Sequence, residues 1–439
     1  MKARRLFAIL ILFCSFFACG CELSEENPFV ESSSAEPSAA EAVTSEASFE
    51  TTSAEEIDLP TDTVLHFVAC GDNLIHPSVY FHGMEVYAEE HGQECTYAAA
   101  NLDNYDFHSI YENVEPAMKE ADFCYVNQET LFMGGTTAIS GYPRFNSPEI
   151  IGTTLYDIGA DIINLAHNHT LDCGSDAAII NTAAFFRNLG MTPIGYYQNT
   201  ADTENIVTVE KDGIRIALLA YTEHTNGLRN SSSTCIPYLE ESLVRKQVAI
   251  AKEQADLVIV SAHWGEEYRW NPTNNQKKYA QLFCDLGVDV VLGMHSHCIE
   301  PVEWLTNESG HRTLVAYSLG NFVSGMHEGM CHLEGMLKFD IRKDLDSGDV
   351  TIESPMFVPL VLHFEAGKSV NTSIDTGYRK FKIYYLTDYT EELAASHGVH
   401  KREKQFTGYQ LYGGKFDLEC LYTTVKTLIP AEFLSEEFR

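Results

Sequence analysis

The sequence predicts an α/β fold, and three observations carry that reading. From Thr63 onward, short β-branched apolar runs alternate with helix-length amphipathic stretches, as strands and covering helices do. Five of those runs end at side chains that ligate metals, and open α/β sheets carry their chemistry at the carboxyl ends of strands. The chain has 439 residues with 45% hydrophobic content, enough for one large domain or two ordinary ones with a sizeable core.

In order, Val64–Ala69 reads as the first strand, Pro77–His91 and Asp106–Ala121 as helices, and Phe123–Asn127 as the second strand. Ser147-Pro148-Glu149 marks a helix start, so Pro148–Ile158 is helical and feeds a strand at Asp161–Leu165. Asp176–Leu189 is an amphipathic helix with Gly190 as its stop, before a short strand at Met191–Gly195. Ile206–Glu210 and Ile214–Ala220 pair around the hairpin signal Lys211-Asp212-Gly213. Tyr238–Gln254 and Asn274–Leu286 are helices, the second stopped by Gly287, and strands ending at His263 and at Gly293 follow them. Thr313–Tyr317, Gly335–Ile341, Val350–Glu353 and Phe357–Leu362 are further strands. Arg379–Leu386, Leu393–His397 and Leu421–Ile429 look helical, and residues 346–439 read as an accessory segment on a main domain of residues 63–345.

The chemistry gathers around Ala160–Gly174, where the apolar run Ile162, Ile163, Leu165 breaks into His167-Asn168-His169 with Asp172 close behind. Imidazole nitrogen and carboxamide oxygen both ligate divalent metals. The same design recurs: one strand ends at Asp72, one at Asn127 and Glu129, one at His263, and one at His295 and His297. Chance does not readily place ligand types at five strand ends.

Residues 1–21 carry Lys2, Arg4 and Arg5 before an apolar Leu6–Ala18, too short for a comfortable membrane span. Small residues precede Cys21, as in a bacterial lipobox, which implies cleavage and acylation at Cys21 and a lipid-anchored, extracytoplasmic protein. Ala18 stands where Leu is usual, and Cys19 is a competing site. Residues 22–62 are rich in Ser, Glu, Ala and Thr with few large apolar residues, so they read as a disordered acidic tether. The net charge of −34 argues against nucleic acid or an anionic lipid surface as a partner. The 12 cysteines show no CxxC spacing outside the leader, which excludes zinc-finger and dithiol redox motifs.

The segments GDNLIH (71–76), NQET (127–130), NLAHNHTLDCG (164–174), SAHWGEEY (261–268), LGMHSHCIEPVEW (292–304) and YSLGNF (317–322) resemble the poly-γ-glutamate capsule synthesis protein CapA family. That family is a branch of the calcineurin-like metallophosphoesterases. The resemblance spans roughly Val64–Ile341 and implies a four-layer α/β/β/α sandwich with a small C-terminal accessory segment. It also implies two divalent metal ions (Mn, Fe or Zn), held by Asp72, Glu129, Asn168, His263, His295 and His297. His169 matches the histidine that protonates a leaving group. Asn127, Asp172, Glu267, Glu303, Ser318 and Asn321 match positions that support such a site.

The sequence departs from the superfamily at several points. Asp72 is followed by Asn73 and Leu74 instead of forming Asp-x-His, His76 lies at a spacing that does not match, and the second motif lacks GDxxD. His167 stands where CapA-like sequences carry Asn, and Glu300 where they carry Gln. Three functions follow from the resemblance. The first is synthesis or export of an anionic cell-envelope polymer such as poly-γ-glutamate. The second is hydrolysis of a phosphoester or amide of such a polymer. The third is a non-catalytic scaffold for membrane synthase subunits. Trp264 and Tyr268 are expected either as core or as a wall against a glutamyl or sugar chain. His66, His108, His224 and His311 are expected to be structural or surface residues.

Overall fold

The computed structural model describes residues 61–439 apart from 98–102, 135–137, 175, 230–233 and 372. The lipobox and most of the acidic tether lie outside the described residues. The elements in chain order begin with β1 (Asp62–Asn73), α1 (Pro77–Glu90), α2 (His108–Tyr111), α3 (Glu115–Glu120), β2 (Phe123–Gln128), α4 (Ile150–Asp157), β3 (Ile162–Asn164), α5 (Ala177–Asn188) and β4 (Thr192–Ile194). Next come β5 (Val207–Lys211), β6 (Ile214–Thr222), α6 (Glu241–Gln254), β7 (Leu257–His263), α7 (Asn274–Leu286), β8 (Val290–Met294), β9 (Val302–Thr306), β10 (Arg312–Ala316) and β11 (Asn321–Val323). The last are β12 (Leu333–Asp344), β13 (Val350–Ala366), β14 (Tyr378–Tyr385), α8 (Glu391–Ser396) and α9 (Leu418–Leu428).

They form two sheets. The first has eight strands in the order β14-β13-β12-β1-β2-β3-β4, with β11 pairing on β1; the second has six in the order β5-β6-β7-β8-β10-β9. Strand β1 runs parallel to β2 and antiparallel to β12, so the first sheet is parallel on one side of β1 and antiparallel on the other.

Strand periodicity builds the layers. On β1, Leu65, Phe67 and Ala69 point between the sheets, with Ile214, Ile216, Leu257, Ile259 and Leu292 in the same core. Val68 and Cys70 point the other way, into the core under the helices of the first sheet with Val79, Ile110, Ile151 and Ile179. Across the second sheet, Val258, Val260 and Val291 meet Val244, Val248 and Phe283 of α6 and α7. The result is a four-layer α/β/β/α sandwich, as the family resemblance implies. Helix α7 shows the local logic: Thr273 and Gln276 form a capping box, and Gly287 ends the helix in the left-handed region at φ 80°.

Residues after 345 join this framework. Strands β13 and β14 extend the first sheet, and Leu421, Val425 and Leu428 of α9 belong to the core between the sheets. Arg379–Leu386, expected as a helix, is instead β14. Phe381 and Ile383 are buried while Lys380 is exposed and Lys382 half-buried, a two-residue alternation that fits a strand edge. The expected helix over Asp106–Ala121 is two short ones, with Pro116 opening the second. Strand β9 was not expected from the sequence; it pairs antiparallel with β10.

Candidate metal centre

Both sheets deliver polar side chains from strand ends. In the first sheet, Asp72 stands beside Asn127 of β2 on one side and Asn321 of β11 on the other. This close approach requires glycine at position 71, because a Cβ there would lie 2.1 Å from the carbonyl oxygen of Gly320. In the second sheet, His263 ends β7 opposite Met294, the last residue of β8, and His295 and His297 follow. Gly293 plays the matching part: a Cβ would lie 1.9 Å from the carbonyl oxygen of Tyr317. His295 and His297 themselves hold φ of 97° and 58°, rare for residues with side chains and common where a binding site overrides local preference.

These loops converge. Donor atoms of Glu129, His295 and His297, all buried, lie within 4.8 Å of one another. Nδ1 of His297 is 3.2 Å from Asp72 Oδ2 and 3.8 Å from Glu129 Oε2. On the other side of Glu129, Oε1 lies 3.6 Å from His263 Nε2, which is 3.1 Å from Asn168 Oδ1. Glu129 thus stands between two sets of donors, Asp72 with His297 and Asn168 with His263.

Supporting contacts surround them. Asn127 donates from Nδ2 to Asp72 Oδ1 at 2.6 Å and accepts from Asn164 at 2.7 Å. The backbone N–H of His295 donates to Asp72 Oδ2 at 3.2 Å. Asn321 Oδ1 lies 3.1 Å from His297 Nδ1. His169 pairs through Nδ1 with Asp172 Oδ2 at 2.7 Å, and Asp172 also accepts from the N–H of Phe145.

The donor set fits a divalent cation. Glu129 is fully buried, yet among the described residues neither carboxylate oxygen has a hydrogen-bond partner, and His295 Nδ1 is also without one. Such a group is costly unless something else satisfies it. Burial pushes the Glu129 carboxyl well above its usual range, and the charge of Asp72 adds to this. Burial alone would lower His297, but the charges of Glu129 and Asp72 outweigh it and push this imidazole up to about 10. A divalent cation bound among these groups would compete with protons for the same donors. Burial and neighbouring imidazoles lower His263 and His295, leaving them in the neutral form that ligates metal.

Other expected site residues lie elsewhere. Glu267 is exposed at the rim of an adjoining cleft. Glu303 accepts from the Tyr317 hydroxyl at 2.7 Å, and the Ser318 hydroxyl accepts from the N–H of Gly320; neither contacts the donor cluster. Trp264 is fully buried with Phe283 and Tyr317 and donates to the Tyr317 carbonyl, so it is core, while Tyr268 lines the cleft. His224, expected to be a structural or surface residue, has its ring 5.1 Å from that of His295, and Asn226 Nδ2 lies 3.5 Å from His169 Nδ1. Their loop follows β6, another strand of the second sheet, and its position at a strand end was the available signal.

A sequence model of the family described as Bacterial capsule synthesis protein PGA_cap matches residues 66–326, a span that includes every donor named above. The chain is 28% identical over 247 residues to the PGA biosynthesis protein CapA of Bacillus subtilis (strain 168), covering 54% of this chain and 62% of that one. It is 25% identical over 286 residues to the capsule biosynthesis protein CapA of Bacillus anthracis, covering 62% and 66%. The chain therefore spans less than two thirds of either relative's length. A solved structure titled as a novel phosphatase of Mycoplasma pneumoniae is a loose match, with a TM-score of 0.37 and 14% identity over 68% of this chain and 94% of that one. With more than half of its length matched by the family's sequence model, the chain belongs to the bacterial capsule synthesis protein PGA_cap family.

Proposed function

We propose that this protein is a lipid-anchored, extracytoplasmic component of the synthesis or export of a poly-γ-glutamate-type polymer, and that it acts through a two-metal site. The observation that carries the reading is the buried Glu129 carboxylate, without a hydrogen-bond partner among the described residues and flanked by Asp72 with His297 on one side and Asn168 with His263 on the other. Asp72, Glu129 and His297 would hold one ion; Glu129, Asn168, His263 and His295 the other. Imidazole, amide and carboxylate donors of this kind suit Mn, Fe or Zn. Bound there, the metals supply an acidified water and polarise a phosphoryl or carbonyl oxygen.

The chain's own residues do the rest. Asp172 holds His169 by Nδ1, which leaves Nε2 as the atom able to hand a proton to a leaving group. Asn127 fixes the Asp72 carboxylate from the neighbouring strand. This favours hydrolysis of a linkage in the polymer over a purely scaffolding role with membrane synthase subunits, because a scaffold has no need of buried carboxylate, amide and imidazole donors converging from two sheets.

Elemental analysis of the purified protein beside Asp72→Ala/His295→Ala tests the site. One or two equivalents of transition metal, lost in the double variant with the fold retained, is the expected result. A wild type without metal after Mn or Zn addition would sink the metal reading. Loss of surface polymer on gene deletion, not restored by the double variant, tests the pathway; restoration by the variant would favour the scaffold.

A further inference from the structure

A cleft of about 400 Å³ opens beside His169 and His297. Its chemistry does not match a free polyanion. Glu267 and Glu328 both line it, and no Lys or Arg is among its lining residues. Glu267 makes no hydrogen bond or ion pair among the described residues, and the Glu328 side chain accepts the backbone N–H of His327. Neither carboxylate forms an ion pair with the wall among the described residues. Of the lining imidazoles, His297 turns Nδ1 to Asp72 and Glu129 and His169 turns Nδ1 to Asp172, while burial lowers His76 to about 3 and His327 to about 4. Arg402 donates to His327 Nε2 from behind at 3.1 Å and is not part of the lining.

The remaining walls are aromatic. Phe145, Tyr268 and Tyr142 line the cleft, and Tyr142 is 75% exposed at its mouth. The ring of Tyr409, also exposed, stands 5.1 Å from that of Tyr268 and extends this wall. Ser78 Oγ is buried, belongs to a residue lining the same cleft and has no hydrogen-bond partner among the described residues, so it offers an acceptor to a ligand N–H. Carboxylates without an ion pair, aromatic faces and a hydroxyl are the groups that take a cation on a carbon stem. A chain of carboxylates would be repelled here except at the metals.

We propose that this cleft binds an ammonium-bearing group of the substrate, so that the site works at a junction between an anionic chain and an amine-bearing residue. The proposal rests on the metal-site reading for what happens at the junction, but its recognition chemistry is tested separately.

The experiment is isothermal titration of the purified full chain with three dipeptides: γ-glutamyl-lysine with its side-chain ammonium free, γ-glutamyl-norleucine and γ-glutamyl-glutamate. Glu267→Gln/Glu328→Gln is titrated in parallel, and metal content is measured on both proteins. Wild type should bind the lysine dipeptide about tenfold tighter than the norleucine one and more tightly still than the glutamate one at low salt. The preference should vanish in the double variant with metal content unchanged. Equal binding of lysine and norleucine dipeptides, or a preference for glutamate, overturns the proposal. So does loss of metal in the variant, which would make Glu267 or Glu328 a metal ligand. A wild type that prefers lysine but holds no metal supports the cleft and sinks the metal reading instead.

Discussion

Glu300 offers a test of how this core handles a carboxylate. It is fully buried, its Oε2 accepts from Gln276 Nε2 at 2.6 Å, and its Oε1 has no partner. Burial raises its pKa from 4.5 to about 8, against the lowering effect of the Gln276 hydrogen bond and of Lys277. The folded state therefore keeps a proton that the unfolded chain has lost between those two values. Unfolding releases that proton, so this group makes stability fall as pH rises, by about 1.4 kcal/mol per pH unit. Over the window from 4.5 to about 8 the loss has a ceiling of about 5 kcal/mol. Glu300→Gln keeps an acceptor for Gln276 and is neutral at every pH. Urea unfolding midpoints of wild type and variant, measured from pH 5 to 8 under one metal condition, isolate the term because other groups cancel in the difference. The variant should match wild type near pH 5 and exceed it increasingly toward pH 8. A difference that does not change with pH would refute the reasoning, because it would mean that Glu300 ionises inside the fold without cost.

Asn127→Ala removes the 2.6 Å hydrogen bond to Asp72 and should weaken metal binding by about 10–100-fold, read by chelator competition, with the fold intact. Unchanged affinity would show that Asp72 needs no such support. Phe67→Ala empties a site where the ring stacks 4.8 Å from Phe339 between the sheets, and should cost about 3–5 kcal/mol in urea unfolding; a cost below 1 kcal/mol would mean the two sheets close over the gap. Cys21→Ala should release the protein from membranes in a fractionation assay, and retention would point to Cys19 or to an uncleaved anchor.

The α/β class and most elements were legible in the sequence because strand and helix periods survive in a two-sided core; the four layers were implied by the family resemblance. Val68 and Cys70 alternating with Phe67 and Ala69 state both faces of β1 before any partner is known. Donors at Asp72, Glu129, Asn168, His263, His295 and His297 were visible as polar breaks at the ends of apolar runs, since a strand that leaves the core must stop somewhere and the stop is where chemistry is exposed. Boundaries and weakly patterned segments were less legible. Strand β14 carries tyrosines on both faces and reads as a helix until β13 is there to pair with it.

What the chain alone determined was therefore local: residue types, their periods, and the order in which ligand-bearing turns follow strands. The tertiary structure decided which of those turns meet. It brought Glu129 between the donors of two sheets and left its carboxylate without a hydrogen-bond partner among the described residues. It turned Glu303 and Ser318 away, and it placed His224 against His295 across a loop that no spacing rule connects. The physical reason is that a site at the meeting of two sheets depends on sheet order and register. Those are set by packing over the whole core, whereas the identity of each donor is written at a single position.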